Sequence, residues 1–210
     1  MVLLRRGALV KDDPWVFLGD DAPLDGCRHA VVTFSRWQKE GQELSAKLSP
    51  RHVGVMLMGE EHADAIEVLG ASCHGVGIIV LSMPAFRDGR VFSAARQLRE
   101  RFGYGGELRV KGHVLPDQLY FLHRCGVDSF EGDERLSVRA WERAMSSFSY
   151  VYQPTWDRRP TVMAQRHAST RGDKGGDKQQ QRHKKKAQAL RENLHKRKHY
   201  ARQKGVKTTP

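Results

Sequence analysis

The chain is poor in cysteine, poor in long apolar runs and, over its last quarter, poor in acid. Its three cysteines, Cys27, Cys73 and Cys125, are odd in number and far apart, and no two fall within a CxxC spacing. That excludes a disulfide framework and an all-cysteine zinc or iron–sulfur site within one chain. The longest apolar stretch, Gly75–Phe86, contains Ser82 and Pro84, well short of the roughly 18–20 apolar residues of a membrane-spanning helix. At the N-terminus the apolar residues Val2–Leu4 precede the pair Arg5-Arg6, the wrong order and too short for a secretory signal. A reducing cytoplasm is the expected location. The glycines form no nucleotide loop. Gly70-x-x-x-x-Gly75-x-Gly77 precedes a strand-like run, and Gly172–Lys178 lacks the Lys-Ser/Thr ending, whereas a phosphate loop follows a strand and opens a helix.

Charge is abundant but uneven. Residues 1–157 hold 19 Lys+Arg and 21 Asp+Glu, while residues 158–210 hold 17 and 3. The first part is a near-neutral domain with enough apolar residues for one core. The second is a basic tail too polar over 158–186 to offset chain entropy by burial, and disorder is expected there. A thin stripe of Ala187, Leu190, Leu194 and Ala201 allows a helix over 187–204. The expected organisation is a leader over 1–29 with an edge strand at Trp15–Leu18, an α/β domain over 30–153, and the tail over 154–210.

Between residues 30 and 148 one pattern repeats five times. Ala30–Phe34, His52–Leu57, Val76–Leu81, Glu107–Val110 and Val127–Phe130 read as strands. Each is followed by apolar residues at helical spacing, as in Trp37, Gly41, Leu44, Leu48. Gly103 and Gly126 suit helix stops, Pro116 a first turn and Ser137 an N-cap. Strands alternating with helices imply right-handed crossovers and a mainly parallel sheet. Five units fall short of the eight that close a full barrel, so the expectation is an open sheet or a partial barrel.

Ligands of such sheets bind beyond the carboxyl ends of the strands, which directs attention to the loops after each strand. The loop Pro84–Arg90 is the richest, with Arg87, Asp88 and Arg90 around Gly89 and then Ser93. Guanidinium groups and helix amides together suit an oxyanion. The same residues also fit an Asp-Gly turn with surface arginines and a capping serine. His113 ends a strand on the same side, and a pair with Asp117 or Asp88 would transfer protons near neutral pH. Asp88, His113 and Asp117 are therefore the acid–base candidates, and Arg87, Arg90, Ser93, Arg109 and Gln118 the binding candidates. Arg96 and Arg99 read as solvated helix charges. His123 and Cys125 point to opposite sides of a helix and no metal is assigned; no cofactor is identified.

The segments Phe86-Arg-Asp-Gly-Arg-Val-Phe-Ser93, Ala95-Arg96-x-Leu-Arg99, Gly103-Tyr-x-Gly-Glu-Leu-Arg109, Gly112-x-Val-Leu115, Asp117-Gln-Leu119 and Arg124-Cys-Gly-x-Asp128-x-Phe130 resemble a bacterial family, the domain of unknown function nine-three-four. The resemblance covers residues 12–153. It implies an oxidoreductase linked to sulfite reduction in sulfate assimilation. Sulfite, sulfate or a sulfonucleotide then becomes the expected oxyanion, and sulfite-reductase components the expected partners. Two other readings stand beside this one: a non-catalytic docking protein for such a complex, and nucleic-acid binding by the basic tail, where Lys184-Lys-Lys186 and His195-Lys-Arg-Lys198 would contact phosphates.

Overall fold

A computed structural model of the chain describes residues 1–24, 26–60 and 62–166. The elements in order are β1 (Val2–Arg5), β2 (Ala8–Leu9), β3 (Val16–Phe17), β4 (Ala30–Thr33), α1 (Phe34–Leu48), β5 (Val53–Leu57), α2 (His62–Ser72), β6 (Ile78–Met83), α3 (Arg90–Glu100), β7 (Glu107–Gly112), α4 (Gln118–Arg124), β8 (Ser129–Gly132) and α5 (Val138–Ser146). All five expected βα units are present. Gly103 and Gly126 take positive φ, at 63° and 99°, where the chain turns out of α3 and α4. Ser137 caps α5 by accepting the Ala140 amide at 3.1 Å. Pro116 lies ahead of α4 rather than in its first turn.

One sheet contains all eight strands in the order β2-β1-β8-β7-β6-β5-β4-β3. From β3 to β8 every pairing is parallel, while β1 joins β8 and β2 antiparallel. Strands β4 to β8 follow chain order without reversal. Right-handed crossovers then place every connecting helix on the same face. That face carries the main core: Val55, Leu57, Ile79, Leu81, Leu108, Val110 and Phe130 from the sheet meet Ile66, Leu69, Leu98, Leu119 and Leu122 from the helices.

The opposite face is covered by the chain itself. The leader does not end at one edge strand. It supplies β1 beside β8, then crosses to β3 at the far side of the sheet. Seven strand spacings of about 4.8 Å measure roughly 34 Å along the sheet, whereas the seven steps from Leu9 to Val16 reach at most about 25 Å. The crossing segment is a chord, and the sheet curls around it into a half-barrel with the helices outside. Under β4–β6 the inner face is apolar, with Val31, Ile78 and Val80 packed by Trp15, Phe17 and Met56.

Under β7 and β8 the inner face is ionic. The strand Glu107-Leu-Arg-Val-Lys111 alternates, so its charges all point inward while Leu108 and Val110 enter the helix-side core. Arg109 is fully buried. Its two Nη atoms form a fork on Asp13 at 2.5 and 3.0 Å, and it also meets Glu107 at 3.0 Å and Glu131 at 3.5 Å. Arg5 binds Glu107 at 2.6 Å, Ser129 donates to Glu107 at 2.6 Å, and Lys111 binds Glu131 at 2.6 Å. Burial works against the Arg109 charge, but Asp13 and Glu107 outweigh it and raise the guanidinium pKa above its ordinary value.

At the amino end of the sheet Arg99 corrects the expectation of a solvated helix charge. It is buried, and donates to the carbonyls of Gly126 at 2.9 Å, Gly106 at 2.9 Å and Tyr104, and to the Asp128 carboxylate at 2.5 Å. It thereby satisfies the loops that enter β7 and β8. Arg96 does remain exposed, paired with Glu100 one turn on.

The chain separates into two compact units, Met1–Arg159 and Pro160–Pro210. Residues up to Arg159 are tied to the first unit by Arg124 on Asp157 at 3.3 Å and by Arg159 donating to the Met145 and Phe148 carbonyls. In the described part of the second unit, residues 162–166 are helical, and the Thr161 hydroxyl accepts the Ala164 amide at 3.1 Å. The expected helix over 187–204 and the rest of the tail lie outside the described residues. No helix among the described residues is long and apolar enough to cross a membrane.

Asp13→Ala leaves Arg109 buried without its forked partner, and should lower unfolding free energy by about 3 kcal/mol in a urea titration. Replacing both residues, Asp13→Leu with Arg109→Met, should recover most of that loss. The second prediction concerns pH. His29 and His52 stand just before β4 and β5 with ring centroids 4.3 Å apart, and Trp15 of the crossing segment packs edge-on to His29 at 5.1 Å. Burial first, then His52 and Arg28, hold the His29 imidazole below its ordinary pKa, against a smaller opposing pull from Asp13. The native state then binds this proton less readily than the unfolded chain, whose value is about 6.5. The contribution is full above that pH and is lost as pH falls through the native value. Between neutral pH and about pH 5.5 the wild type should lose more stability than His29→Gln; equal losses would remove His29 from the account.

Candidate functional site

The candidate site is the carboxyl rim of the half-barrel, where the chain leaves β5, β6, β7 and β8. The loop after β6 carries Arg87 and Asp88 and runs into Arg90, the first residue of α3, and all three do lie on this rim. Asp88 is clasped by Arg90, whose Nε and Nη2 each donate at 2.8 Å, and it also accepts the Arg90 amide at 3.2 Å. This carboxylate raises the pKa of Arg90 above its ordinary value. Gly89 stands at the N-cap of α3 and supplies no side-chain cap, so the capping role expected of Ser93 falls to no side chain at that position. Ser93 instead lies within the helix and is exposed. The helix starts three residues earlier, at Arg90, whose amide donates to Asp88.

Gly59, in the loop after β5, runs close beneath this pair. A Cβ there would meet Asp88 Oδ2 at 3.0 Å and Arg90 Nη2 at 3.3 Å. Arg87 is exposed and forms no ion pair among the described residues. It is the cation of this loop that is open to a ligand.

The loop after β7 is locked to the loop after β6 by Gln118. Its Nε2 donates to the Phe86 carbonyl at 2.6 Å, and its Oε1 accepts the Leu115 amide at 3.1 Å. Gln118 thus sets the spacing between two rim loops, with its polar atoms engaged in doing so. His113 lies edge-on to Phe86 with centroids 5.8 Å apart. Its amide donates to Met83 at 2.8 Å. The preceding Gly112 has φ 129°, and a Cβ there would strike the Met83 carbonyl. Asp117 is exposed at the start of α4 and its side chain makes no cap hydrogen bond.

The carboxylate that reaches the field of His113 belongs to Asp133, in the loop after β8. Arg135 grips Asp133 through Nε at 3.0 Å and Nη2 at 2.5 Å, and the Arg135 amide donates at 2.9 Å. These bonds, with a smaller contribution from His113, hold the Asp133 carboxyl down at about 2. Met1, Val2, Gly112, His113, Asp133 and Arg135 line a cleft of about 690 Å³ here, within the range that accommodates small ligands.

Arg109 belongs elsewhere. It projects from the middle of β7 into the inner face, saturated by Asp13, Glu107 and Glu131. The expectation of Arg109 in a rim oxyanion pocket is therefore corrected: an arginine facing three carboxylates has no charge left for an anion. Sequence reasoning places Asp133 in a loop that should line the site but gives it no role, and it passes over Arg135. Their i, i+2 spacing just beyond the fifth strand is the same pattern as Asp88 and Arg90 beyond the third.

No two of Cys27, Cys73 and Cys125 form a disulfide. Burial pushes the Cys73 and Cys125 thiols up, which disfavours the nucleophilic thiolate. Among the described residues no three His, Cys, Asp or Glu side chains gather as a metal-binding set.

These features define a half-barrel α/β protein with an inner face sealed by its own N-terminal segment and a rim built of acid–arginine clasps. The chain belongs to a family described as bacterial protein of unknown function (DUF934), which it matches over residues 54–163. The match begins at β5, so the sealing segment lies outside it. No curated protein and no solved structure matches the chain.

Gln118→Ala should lower stability by about 1 kcal/mol through two lost hydrogen bonds. It should also speed amide exchange at Leu115 while leaving β6 and β7 amides protected. Unchanged exchange at Leu115 would show that the two loops are spaced by something else.

Proposed function

We propose that this protein serves sulfite or sulfate assimilation by holding a small oxyanion at the carboxyl rim. The observation that carries the reading is the division of labour in the loop after β6. Arg90 is neutralised and fixed by Asp88, while Arg87, three residues before it, is exposed with no acidic partner among the described residues. A fixed loop presenting one uncommitted guanidinium suits a bidentate oxyanion. The resemblance of this same loop to a family linked with sulfite reduction favours sulfur oxyanions, sulfite, sulfate or a sulfonucleotide, among the candidates.

In this reading Arg87 contacts the anion directly. Asp88 and Arg90 hold the loop, and Gln118 sets its distance from the loop that carries His113. His113 is the imidazole on that loop, edge-on to Phe86 of the loop after β6. Ser93 and Asp117 stand at the margin. The role assigned is capture and presentation of the anion within a sulfite-reducing system.

A second reading, a docking subunit of such a system, draws on a different feature. Phe121 of α4 and Phe148 beyond α5 are both about half exposed, with ring centroids 6.2 Å apart, and both rest on the buried Tyr120. Exposed aromatic pairs of this kind anchor protein contacts.

Isothermal titration of the full chain with sulfite, sulfate and adenylyl sulfate tests the first reading. Saturable binding of at least one is expected, weakened about tenfold in Arg87→Ala, the loss of one charge-assisted contact. Absence of heat with all three, together with intact growth of an Arg87→Ala strain on sulfate, would end it. Loss of complex formation with sulfite-reductase components in Phe121→Ser, with anion binding absent in the wild type, would favour docking instead.

A further inference from the structure

A second groove lies between the start of α4 and the outer side of α5, with a volume of about 560 Å³. Its apolar floor is made by Pro116, Ala140 and Ala144. Arg139 and Arg143 stand along one side, four residues and therefore about one helical turn of 5.4 Å apart. Both are exposed, and among the described residues neither forms an ion pair. Arg135 closes one end, but its charge is taken by Asp133. Asp117 is the one acidic residue on the lining, so the groove keeps an excess of positive charge.

The chemistry of this groove has two parts. Two planar guanidinium forks one turn apart can each bind the oxygens of one of two linked anionic groups. A lone oxyanion would engage the arginines but leave the alanine–proline floor uncovered. An apolar ring linked to those anionic groups would cover that floor, and the volume falls in the range of small-ligand sites. We propose that this groove binds a nucleotide with two adjacent anionic groups, of the nucleoside diphosphate class, its anhydride on Arg139 and Arg143 and its base over Pro116, Ala140 and Ala144. The site is separate from Arg87 and does not depend on the sulfur reading.

The test is isothermal titration of the full chain at physiological salt with ADP, AMP, adenosine and pyrophosphate, on wild type, Arg139→Ala, Arg143→Ala and the double variant. Both positions are exposed on a helix, where alanine is a good helix former, and circular dichroism checks that the variants fold. Expected is one-to-one ADP binding, about tenfold weaker in each single variant and about a hundredfold weaker in the double, with AMP and pyrophosphate both weaker than ADP. Sulfite affinity should be the same in the double variant, so the two sites fail or stand separately. Three results would overturn the proposal. One is no saturable heat with ADP. Another is ADP binding that survives in the double variant, which would place it on the basic tail. The third is pyrophosphate binding as tightly as ADP, which would leave the apolar floor without a ligand.

Discussion

The forked ion pair between Asp13 and Arg109 is the contact on which the architecture turns. It lies on the inner face of the sheet, where the nearest helix is on the other side, and it fastens a segment that is shorter than the sheet is wide. Without that fastening, β7 would present Glu107, Arg109 and Lys111 to an open concave surface. With it, three cations and three carboxylates neutralise one another in a confined space. A buried network of this kind adds little net stability over apolar packing, but it punishes any arrangement that leaves one member unpaired. It therefore selects one register for the crossing segment and one curvature for the sheet.

The two ends of the half-barrel use arginine in opposite ways. At the amino end Arg99 is buried and spends its donors on backbone carbonyls of the loops that enter β7 and β8. At the carboxyl end the arginines sit on loops and are exposed, two of them clasped by an aspartate two residues earlier. Buried arginines stabilise the scaffold, while the rim clasps shape loops without enclosing them. This split resembles closed α/β barrels, where one end carries stability and the other chemistry. The rim of this protein is open on one side because the barrel is only half formed, and the chain's own N-terminus lines part of the gap.

Much of the βα frame was legible from the sequence, because strand and helix periodicities are local and each unit carries its own stop signals. Val76–Leu81 and its following helix needed no knowledge of the rest of the chain. What escaped was non-local. Val2–Arg5 reads as a short apolar start, yet pairs with Ser129–Gly132 at the far end of the domain. Arg99 shares a helix face pattern with the exposed Arg96, and nothing in the spacing tells which of the two meets three carbonyls. Arg109 looked like a ligand-binding cation because its partner Asp13 lies 96 residues away. The rim loop of Arg87, Asp88 and Arg90 was found because it follows a strand; the same rule reaches Asp133 but not its partner Arg135, although the pair repeats the same motif.

Sequence alone determined that residues 30–148 form strand–helix units, that their strands run parallel, and that the charge divides between a neutral domain and a basic tail. Those properties follow from side-chain periodicity and chain handedness, which act within a few residues or a single crossover. Tertiary structure decided which face the N-terminal segment covers, how far the sheet curls, and which arginines remain open to a ligand. Those outcomes depend on pairing between distant charges, and a charge's availability is set by the partner that folding brings to it.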